Sequence, residues 1–445
     1  MNALLIYPKF PDTYWSFKHA LSFLGKRAAQ PPLGLMTVAA LLPNCWSKRL
    51  VDENIERLRD RDLKWADVAL ISAMHIQKDA LFAILARCRS LGLRTVVGGP
   101  IASSLPWEEI NADHLVIGEA ESLITTLAGD LEQDAGKPVY QALERPGLET
   151  SPLPDVSLIK MNRYSTMAVQ YSRGCPFNCE FCDIIEIYGR RPRTKTVQQV
   201  IAELDQLRAA GWRESVFIVD DNFIGNKARA KELCAALARW RSQHKVGFDT
   251  DKEDIFDRMT EFIQKSGIPV AMVGLLQAMP GTQLFRRLWR EGRIVHTDAG
   301  DNTSMSLNFL PRMDPTKLVE GYRSVLKQIY SSDAYYKRVK LYLKRTEAAP
   351  GEKRIKQRWM TRANARALVT SIIRQGVFGR QRWSYWKFLA TAATRYRHSF
   401  GAAMTLVVMG YHFQVMTRRL SKFKLPAFPT TVNEKDLPAE TGGQV

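Results

Sequence analysis

Cysteine is scarce in this chain of 445 residues, which contains only six. Small secreted scaffolds that rely on disulfide bonds carry a much higher density of cysteine, so that class is excluded. The N-terminal stretch MNALLIYPKFPDTYW has no basic segment, and its apolar run is too short for a signal peptide. The apolar run from Gly401 to Phe413 is likewise too short to span a bilayer. We therefore expect a cytoplasmic protein with reduced thiols.

Acidic residues are scarce in the C-terminal quarter of the chain. Residues 331–425 contain 21 Lys and Arg but only three acidic residues, and the whole chain has a net charge of +19. The rest of the chain is therefore almost neutral, as in an ordinary enzyme core. The apolar fraction of 45% is typical of a globular protein and excludes wholesale disorder.

The first 140 residues alternate near-continuous apolar runs with helical patterns. Helices are predicted at Leu33–Leu42 and Lys78–Arg89, between successive strands. Such alternation is typical of an α/β fold with a doubly wound parallel sheet. The predicted strands are Ala3–Tyr7, Lys48–Val51, Asp67–Ser72, Arg94–Gly98 and His114–Gly118.

The ends of these strands carry the candidate ligand contacts of the first domain. In a doubly wound sheet, ligands bind beyond the carboxyl ends of the strands. Glycines at these ends would let the backbone approach a ligand where a Cβ atom would clash. The residues at these ends are Tyr7, Pro8, Asp52, Glu53, Met74, His75, Gly98, Gly99, Pro100, Gly118 and Glu119.

A second domain follows a stretch, ERPGLETSPLP, with the composition of a linker. It begins with a predicted strand at Ala168–Ser172 that leads into a cysteine-rich loop. Strand–loop–helix repetition predicts a β/α barrel, in which chemistry gathers at the carboxyl ends of the strands. The further predicted elements are a helix at Thr196–Ala209, a strand at Ser215–Asp221 and a helix at Lys227–Gln243.

Three of the six cysteines, Cys175, Cys179 and Cys182, lie within eight residues of each other. A structural zinc site takes four ligands, commonly as two spaced pairs, and no second pair is present. A cubane iron–sulfur cluster binds one thiolate per iron, so three thiolates leave one iron open. We favour a cluster with an open site over zinc. The other cysteines, which we expect to be small buried hydrophobes, are Cys45, Cys88 and Cys234.

The loop YSRGCPFNCEFCDI, with Phe181 before its last cysteine, resembles the radical S-adenosylmethionine (radical SAM) superfamily. The resemblance implies that the open iron of a [4Fe-4S] cluster binds the amino and carboxylate groups of S-adenosylmethionine. The reduced cluster then cleaves that molecule to a 5'-deoxyadenosyl radical. It also implies that Asp220, Asp221 and Asn222 contact the methionine amine, whereas the alternative from the residues themselves is a polar turn after a strand.

The family resemblance extends to the cobalamin (B12)-binding branch with an uncharacterised C-terminal domain, a group that includes hopanoid methylases. The segments similar to that branch are YGRRPRTKT, FIVDDNFIGN, VDENI, ISAMHIQ, VVGGP and VIGEAE. The resemblance implies that one S-adenosylmethionine methylates cobalamin and a second supplies the radical. An unactivated carbon of a hydrophobic or lipid-like substrate then receives the methyl group. An electron donor such as flavodoxin or ferredoxin is implied as well.

The sequence departs from that branch and from other B12 proteins in two ways. The Asp-x-His-x-x-Gly motif of other B12 proteins is absent, so we expect His75 to be a hydrogen-bonded loop residue rather than a cobalt ligand. The helix ending near His244 is followed directly by Lys245–Met259, which resembles the end of a fifth barrel strand. Pro269–Leu288 then resembles the sixth barrel strand and its loop. The third and fourth strands with their helices, and most of the fifth strand, are missing, which predicts an abbreviated partial barrel.

Two functional alternatives therefore stand beside a cobalamin-dependent C-methyltransferase. The missing strands suggest a non-catalytic remnant that binds a cluster or cobalamin. A tRNA methylthiotransferase would share a cluster and a basic domain but carries additional N-terminal cysteines. Here Cys45 and Cys88 are isolated from each other, which disfavours that class.

The basic quarter predicts a mainly helical region in which Lys and Arg alternate with aromatic residues. Its helices could pack on the barrel with a solvated basic face, or contact the inner membrane surface through residues such as Trp359, Trp383 and Trp386. Nucleic acid is not expected, because no fold for it is recognisable. The expected divisions are 1–140 cobalamin-binding-like, 141–165 linker, 166–300 radical SAM core, 301–345 family extension, 346–425 basic helices and 426–445 flexible tail.

Overall fold

The computed structural model describes residues 1–13, 16–105, 107–142, 144–244, 264, 268–271, 273–296, 303, 305–311, 314–347, 362–379 and 381–422. Its N-terminal part is a parallel sheet of six strands in the order β2-β1-β3-β4-β5-β6. The strands are β1 (Asn2–Tyr7), β2 (Ser47–Asp52), β3 (Val68–Ser72), β4 (Arg94–Gly98), β5 (His114–Ile117) and β6 (Val139–Gln141).

Helices cover both faces of this sheet, which confirms the doubly wound prediction. Alternate residues of β1 belong to opposite cores: Leu4 and Ile6 pack on one face, and Ala3 and Leu5 on the other. The near-continuous apolar strands of the sequence reflect this burial on two sides. The helices of this part are α1 (Lys18–Leu24), α2 (Leu33–Leu41), α3 (Asp60–Trp65), α4 (Lys78–Ser90), α5 (Trp107–Ile110) and α6 (Ile124–Glu132).

The segment between the sheet and the cysteine loop is packed against both of them, although its composition predicts a linker. Tyr164 is completely buried, and its hydroxyl donates a hydrogen bond to the carboxylate of Asp52 over 2.9 Å. The backbone N–H of Asp155 donates to the carbonyl of Met36 over 3.0 Å. The segment is thus anchored to the carboxyl edge of the sheet.

The cysteine-bearing part begins with β7 (Met167–Val169), which pairs in parallel with β10 (Val216–Ile218). The predicted strand Ala168–Ser172 is interrupted, because Tyr171 and Ser172 hydrogen-bond to the carboxylate of Asp220 instead of continuing the ladder. Beyond the interruption, β8 (Ser172–Arg173) pairs antiparallel with β9 (Arg193–Thr194). The helices that follow in this part are α7 (Ile184–Tyr188), α8 (Val197–Ala209) and α9 (Lys227–His244).

The abbreviated barrel is visible in the described residues, where β7 and β10 form a parallel sheet of two strands. The Lys245–Met259 segment lies outside the described residues. The prediction of a strand within Pro269–Leu288 is wrong for residues 273–278, which form no strand: Ala278 exchanges two hydrogen bonds with the side chain of Asn308, and Val273 packs in the core of the C-terminal helices. Helix α10 (Gln283–Arg290) follows.

The C-terminal helices share one apolar core and pack on α1. Aromatic pairs hold them together, among them Tyr330 stacked on Phe413 with ring centroids 4.6 Å apart. Across the contact with α1, the rings of Phe23 and Tyr411 meet edge to face. No helix in the described ranges has the length and apolarity to cross a membrane. The helices are α11 (Pro315–Ile329), α12 (Ser332–Glu347), α13 (Arg362–Ser371), α14 (Arg382–Thr394) and α15 (Phe400–Lys422), with a π-helical turn at Ile372–Val377; Trp359 and residues 426–445 lie outside the described part.

Candidate functional site

The cysteine loop connects β8 to α7, and none of its three cysteines forms a disulfide. The backbone N–H of Cys182 donates to the carbonyl of Cys179 over 3.1 Å, which gives this part of the loop a tight turn. Burial raises the pKa of the Cys182 thiol, and so do the nearby charges of Asp183, Cys179 and Cys175. The three thiols are therefore close enough to interact with one another.

The three thiols suit an iron–sulfur cluster, in which each cysteine binds a different iron. Within the described ranges, no three His, Cys, Asp or Glu side chains converge as ligands of one metal ion. A cubane does not require such convergence, because each thiolate binds its own iron. Cys179 is exposed, whereas Cys175 and Cys182 are partly buried, so the open side of the loop faces solvent. Phe177 and Phe181 flank that side and are 63% and 52% exposed.

Gly174 lets the loop turn directly before its first cysteine. Its φ of +89° is in the left-handed region. A Cβ atom at this position would lie 2.7 Å from the carbonyl oxygen of Arg191 and 3.0 Å from that of Gly189. The carbonyl of Gly189 also accepts a hydrogen bond from the backbone N–H of Cys175 over 3.1 Å. Any side chain at Gly174 would therefore push the two strands of the β8–β9 hairpin apart.

Helix α10 supports the loop from the outside. The backbone N–H of Leu284 donates to the carbonyl of Glu180 over 2.7 Å, and Arg287 forms an ion pair with the Glu180 carboxylate. Arg286 reaches Glu186 on α7. The residues between the second and third cysteines are thus tied to a helix more than one hundred residues later in the chain.

The three residues Asp220, Asp221 and Asn222 follow β10 and have different partners. Asp220 accepts hydrogen bonds from the N–H of Tyr171 and the hydroxyl of Ser172, each over 2.7 Å, so its carboxylate is occupied by the protein itself. The side-chain amide of Asn222 lies 3.3 Å from the sulfur of Cys175. Asp221 lies between them in the chain.

Burial raises the pKa of both aspartates in this group, and the pKa of Asp221 is raised further than that of Asp220. Burial, followed by the charges of Asp220 and Asp183, raises the pKa of Asp221 to about 6. Such a carboxyl is poised for a cationic partner, because a positive group nearby would offset both effects.

Glu119, at the carboxyl end of β5, connects the N-terminal sheet to the cysteine loop. Its carboxylate forms ion pairs with Arg173 over 2.7 Å and with Arg193 over 2.5 Å. Arg173 also pairs with Glu121 over 2.9 Å. Burial alone would raise the pKa of Glu121, but the charge of Arg173 and the hydrogen bond from it hold that pKa below its ordinary value. We call these four side chains the interdomain clamp; Arg173 is two residues before Cys175.

The other residues at the sheet edge differ in exposure. Met74 is exposed. His75 is buried, and its Nδ1 lies 3.4 Å from the Ser104 hydroxyl. Pro8 is buried, and its carbonyl accepts hydrogen bonds from the side chains of Gln77 and Asn54. His75 is therefore buried at the carboxyl edge of the sheet, whereas Met74 is exposed to solvent.

The remaining polar residues of this edge are largely engaged by the protein. Asp52 is buried, and burial raises its pKa and that of the partly buried Glu53. Burial, and then the charge of Asp52, also raise the pKa of Tyr7. The surroundings of Asp52, Glu53 and Tyr7 therefore favour the neutral, protonated form of each side chain.

Two glycines of this edge are explained by the fold itself. Gly99 has a φ of +86°, and a Cβ atom there would lie 2.7 Å from the Ser72 hydroxyl. Gly118 has a φ of +96°, with Ala142 3.0 Å from its would-be Cβ atom. Gly98 has ordinary contacts, and Pro100 begins a 3₁₀ turn. Glycine is therefore required at Gly99 and Gly118 independently of any ligand.

A cavity of about 490 Å³ lies beside the cysteine loop. Arg145, Arg190 and Arg191 line it together with Tyr188, Thr194 and one acidic residue, Glu149. Burial raises the pKa of Tyr188 to about 12, so its phenol is neutral near pH 7. The cavity therefore favours an anionic group.

Sequence reasoning missed the two arginines of the clamp. Arg173 and Arg193 lie in segments whose predicted role came from the cysteines and from the family resemblance. The available signal was their position at the base of the cysteine loop, next to a sheet edge that carries Glu119. The isolated cysteines also differ from expectation: Cys88 is buried under the sheet, but Cys45 in a turn and Cys234 on the outer face of α9 are exposed.

Two family models match the chain. The radical SAM superfamily model matches residues 169–294, which include the cysteine loop, Asp220–Asn222 and α10. A domain of unknown function, DUF4070, matches residues 282–424, which include the C-terminal helices.

Curated relatives match over most of their length. An uncharacterized methyltransferase, sll1242, of Synechocystis sp. is 32% identical over 87% of this chain and 86% of its own. Hopanoid C-2 methylase of Rhodopseudomonas palustris is 29% identical over 98% of both chains. The chain belongs to the family of radical SAM methyltransferases.

The fold is also similar to that of a solved structure. It is the structure of the cobalamin-dependent S-adenosylmethionine radical enzyme OxsB with aqua-cobalamin and S-adenosylmethionine bound. The two structures superpose with a TM-score of 0.51 at 12% sequence identity, over 95% of this chain and 80% of OxsB.

This chain lacks internal residues that its alignment with hopanoid C-2 methylase contains. Its alignment with hopanoid C-2 methylase is 523 positions long, whereas this chain has 445 residues, so at least 78 positions have no residue here. Because 98% of both chains is aligned, these gaps fall within the chain. This agrees with the barrel strands that the sequence lacks.

Proposed function

We propose that this protein is a cobalamin-dependent C-methyltransferase in which Cys175, Cys179 and Cys182 hold a [4Fe-4S] cluster with one open iron. The observation that carries the proposal is the interdomain clamp, which fixes the cysteine loop against the carboxyl edge of a doubly wound sheet. Such an edge is where that fold binds its ligands. A site on each domain thus faces the same junction.

S-adenosylmethionine would bind between the cysteine loop and the turn after β10. Asp220 is occupied by Tyr171 and Ser172, so it positions the turn rather than contacting the ligand. Asp221 offers the raised-pKa carboxyl that an ammonium group would stabilise in its ionised form. Asn222 hydrogen-bonds the sulfur of Cys175 and would orient that ligand. Phe181 provides an exposed apolar surface beside the last cysteine.

Cobalamin would bind at the carboxyl edge of the N-terminal sheet, where Met74 is exposed and Gly98, Gly99 and Pro100 form a turn. His75 is not assigned as a cobalt ligand, because its ring is buried against Ser104. When bound, the reduced cluster supplies the electron that cleaves S-adenosylmethionine, and cobalamin carries the methyl group.

The substrate class we propose is hydrophobic or lipid-like. The name of the relative hopanoid C-2 methylase supports this class, since the two chains align over 98% of their length. The exposed apolar side chains around the cysteine loop also support it: Phe177, Phe181 and Ile224 are all at least half exposed. Apolar surface of this kind would bind an apolar substrate close to the cluster.

The electron donor we propose is an acidic protein such as flavodoxin or ferredoxin. Arg145, Arg190 and Arg191 are exposed on the side of the cysteine loop that faces the cavity. Positive charge close to the cluster would steer an acidic donor towards it.

The test is anaerobic reconstitution of the full chain with iron, sulfide and hydroxocobalamin. We expect brown cluster absorbance, and formation of 5'-deoxyadenosine when S-adenosylmethionine and a reductant are added. Substitution of Cys175, Cys179 and Cys182 by Ala abolishes both signals. The matched control replaces the two exposed cysteines outside the loop, Cys45 and Cys234, and retains both. Iron and colour that survive in the triple variant would refute the ligand assignment.

A second candidate function is a non-catalytic remnant that binds a cluster or cobalamin. The observation that favours it is the two-stranded parallel sheet of the described cysteine-bearing part, together with the alignment gaps. The same experiment separates the two, because a remnant forms the cluster but releases no 5'-deoxyadenosine.

A further inference from the structure

Six large apolar side chains are exposed on the C-terminal helices. Phe378 and Trp383 stand out, with 78% and 77% of their surface exposed. The exposure is selective, because Tyr385 and Phe388 on the same helix are buried in the core. We call the six residues the apolar strip: Val369, Ile373, Val377, Phe378, Trp383 and Trp386.

The backbone brings these residues into one continuous surface. Val369, Ile373 and Val377 are spaced by four along α13 and the π-helical turn, which places them on one side of these consecutive turns. The N–H of Phe378 closes that turn by donating to the carbonyl of Ile373 over 3.0 Å. Its conformation is thus held by hydrogen bonding, and the apolar side chains remain outside.

The start of α14 is fixed beside the same turn. The indole N–H of Trp386 donates to the carbonyl of Gly376 over 3.0 Å. A Cβ atom at Gly376 would lie only 3.0 Å from the rings of Trp386 and Tyr385, so α14 packs closely on the turn. Trp383, one turn before Trp386, therefore extends the strip across the connection between the two helices.

The charge around the strip is mainly positive. The chain contains no Asp or Glu between Glu352 and Glu434, and residues 362–422 contain eleven Lys and Arg. Arg382 and Lys387 are exposed next to the tryptophans, and the guanidinium of Arg382 lies 6.0 Å from the ring of Trp383. An acidic residue from a neighbouring helix, Asp333 on α12, accepts a hydrogen bond from Ser384. The surface as a whole complements negative charge.

We propose that the apolar strip docks this protein on an anionic lipid surface, with Phe378 and Trp383 entering the headgroup layer. Amphipathic aromatic residues beside basic residues are the features that bind such an interface. Nucleic acid would explain the arginines and the tryptophans, but it offers no apolar phase for the aliphatic side chains Val369, Ile373 and Val377. The proposal does not depend on the function proposed for the cysteine loop.

The experiment is co-sedimentation of the full chain with vesicles of phosphatidylglycerol and phosphatidylcholine, and with vesicles of phosphatidylcholine alone. We expect binding to the anionic vesicles that weakens as salt rises. The double variant R382Q/K387Q should bind about 25-fold more weakly, at about 1 kcal/mol per basic residue and 1.4 kcal/mol per tenfold. The double variant F378S/W383S should bind at least about tenfold more weakly, because two aromatic side chains no longer enter the lipid.

Matched controls separate the strip from general effects. Trp107→Ser removes an exposed tryptophan from α5, and R57Q/K64Q removes two exposed basic residues near α3. Both controls should bind vesicles as the unmodified chain does, and circular dichroism melts of all variants should agree.

Three results would overturn the proposal. The first is equal binding to neutral and anionic vesicles. The second is tighter binding to duplex DNA or transfer RNA than to vesicles, unaffected by F378S/W383S. The third is a dimer in solution that F378S/W383S dissociates, which would make the strip an interface between two copies of the chain.

Discussion

Replacement of Glu119 should destabilise the protein more than any exposed substitution, because its carboxylate pairs with two arginines. Its side chain is 2% exposed, and those of Arg173 and Arg193 are 12% and 13% exposed. In Glu119→Ala, Arg173 retains Glu121, but Arg193 retains only the carbonyls of Pro146 and Tyr188. One guanidinium is thus left without a carboxylate.

The magnitude follows from the cost of breaking a buried ion pair. Removing one partner typically costs about 3–5 kcal/mol, since the remaining charge stays buried without compensation. Glu119→Gln keeps the size of the side chain and one acceptor oxygen. We expect it to lose about 1.5–3 kcal/mol, the range for hydrogen bonds to charged groups.

The assay is urea unfolding of the apo protein, followed by iron content after reconstitution. Glu108→Ala, on the exposed face of α5, is the matched control and should change the free energy of unfolding by about 0.5 kcal/mol or less. Because Arg173 is two residues from Cys175, Glu119→Ala should also lower the iron bound per chain. A loss of about 1 kcal/mol or less, with unchanged iron content, would refute the role of the clamp.

Two further predictions concern the residues nearest the cysteines. Gly174→Ala should abolish iron binding, since its Cβ atom meets two backbone carbonyls, whereas Gly211→Ala, with a similar φ of +94° but open space, should bind iron normally; equal iron contents would contradict the steric explanation. Asp221→Asn should stabilise the apo protein at pH 7 by about 1 kcal/mol, a figure reduced by solvent screening because Asp221 is exposed. Because the pKa of Asp221 is raised in the folded protein, its carboxyl lowers the stability of the unmodified chain as the pH rises from 3.8 to about 6. In urea melts, the stability gained by Asp221→Asn should therefore vanish below that pH window. An equal gain in stability in Asp79→Asn would count against this explanation.

The sequence was sufficient for the elements whose signal is local. The β1 strand is apolar on both faces, so its burial between two helical layers could be predicted from ALLIY alone. The cysteine spacing likewise identified the loop.

Features that depend on distant partners could not be predicted. The contact of Glu119 with a ligand stays a prediction, but its pairing with Arg173 and Arg193, 54 and 74 residues away, leaves no local pattern. The strand expected within Pro269–Leu288 has the right composition, yet residues 273–278 pack on side chains instead of a neighbouring strand. Glycines at the sheet edge were attributed to ligand approach, whereas Gly99 is already required by Ser72.

The segment that leads from the sheet to the cysteine loop has a consequence for ligand exchange. A hinge there would have to expose Tyr164, break its bond to the buried Asp52 and release Asp155 from Met36. Each of these contacts opposes a hinge motion between the sheet and the cysteine loop. We therefore expect a ligand to reach the cysteine loop from its solvent-facing side, where Phe177 is 63% exposed, and not through a movement of the sheet away from the loop.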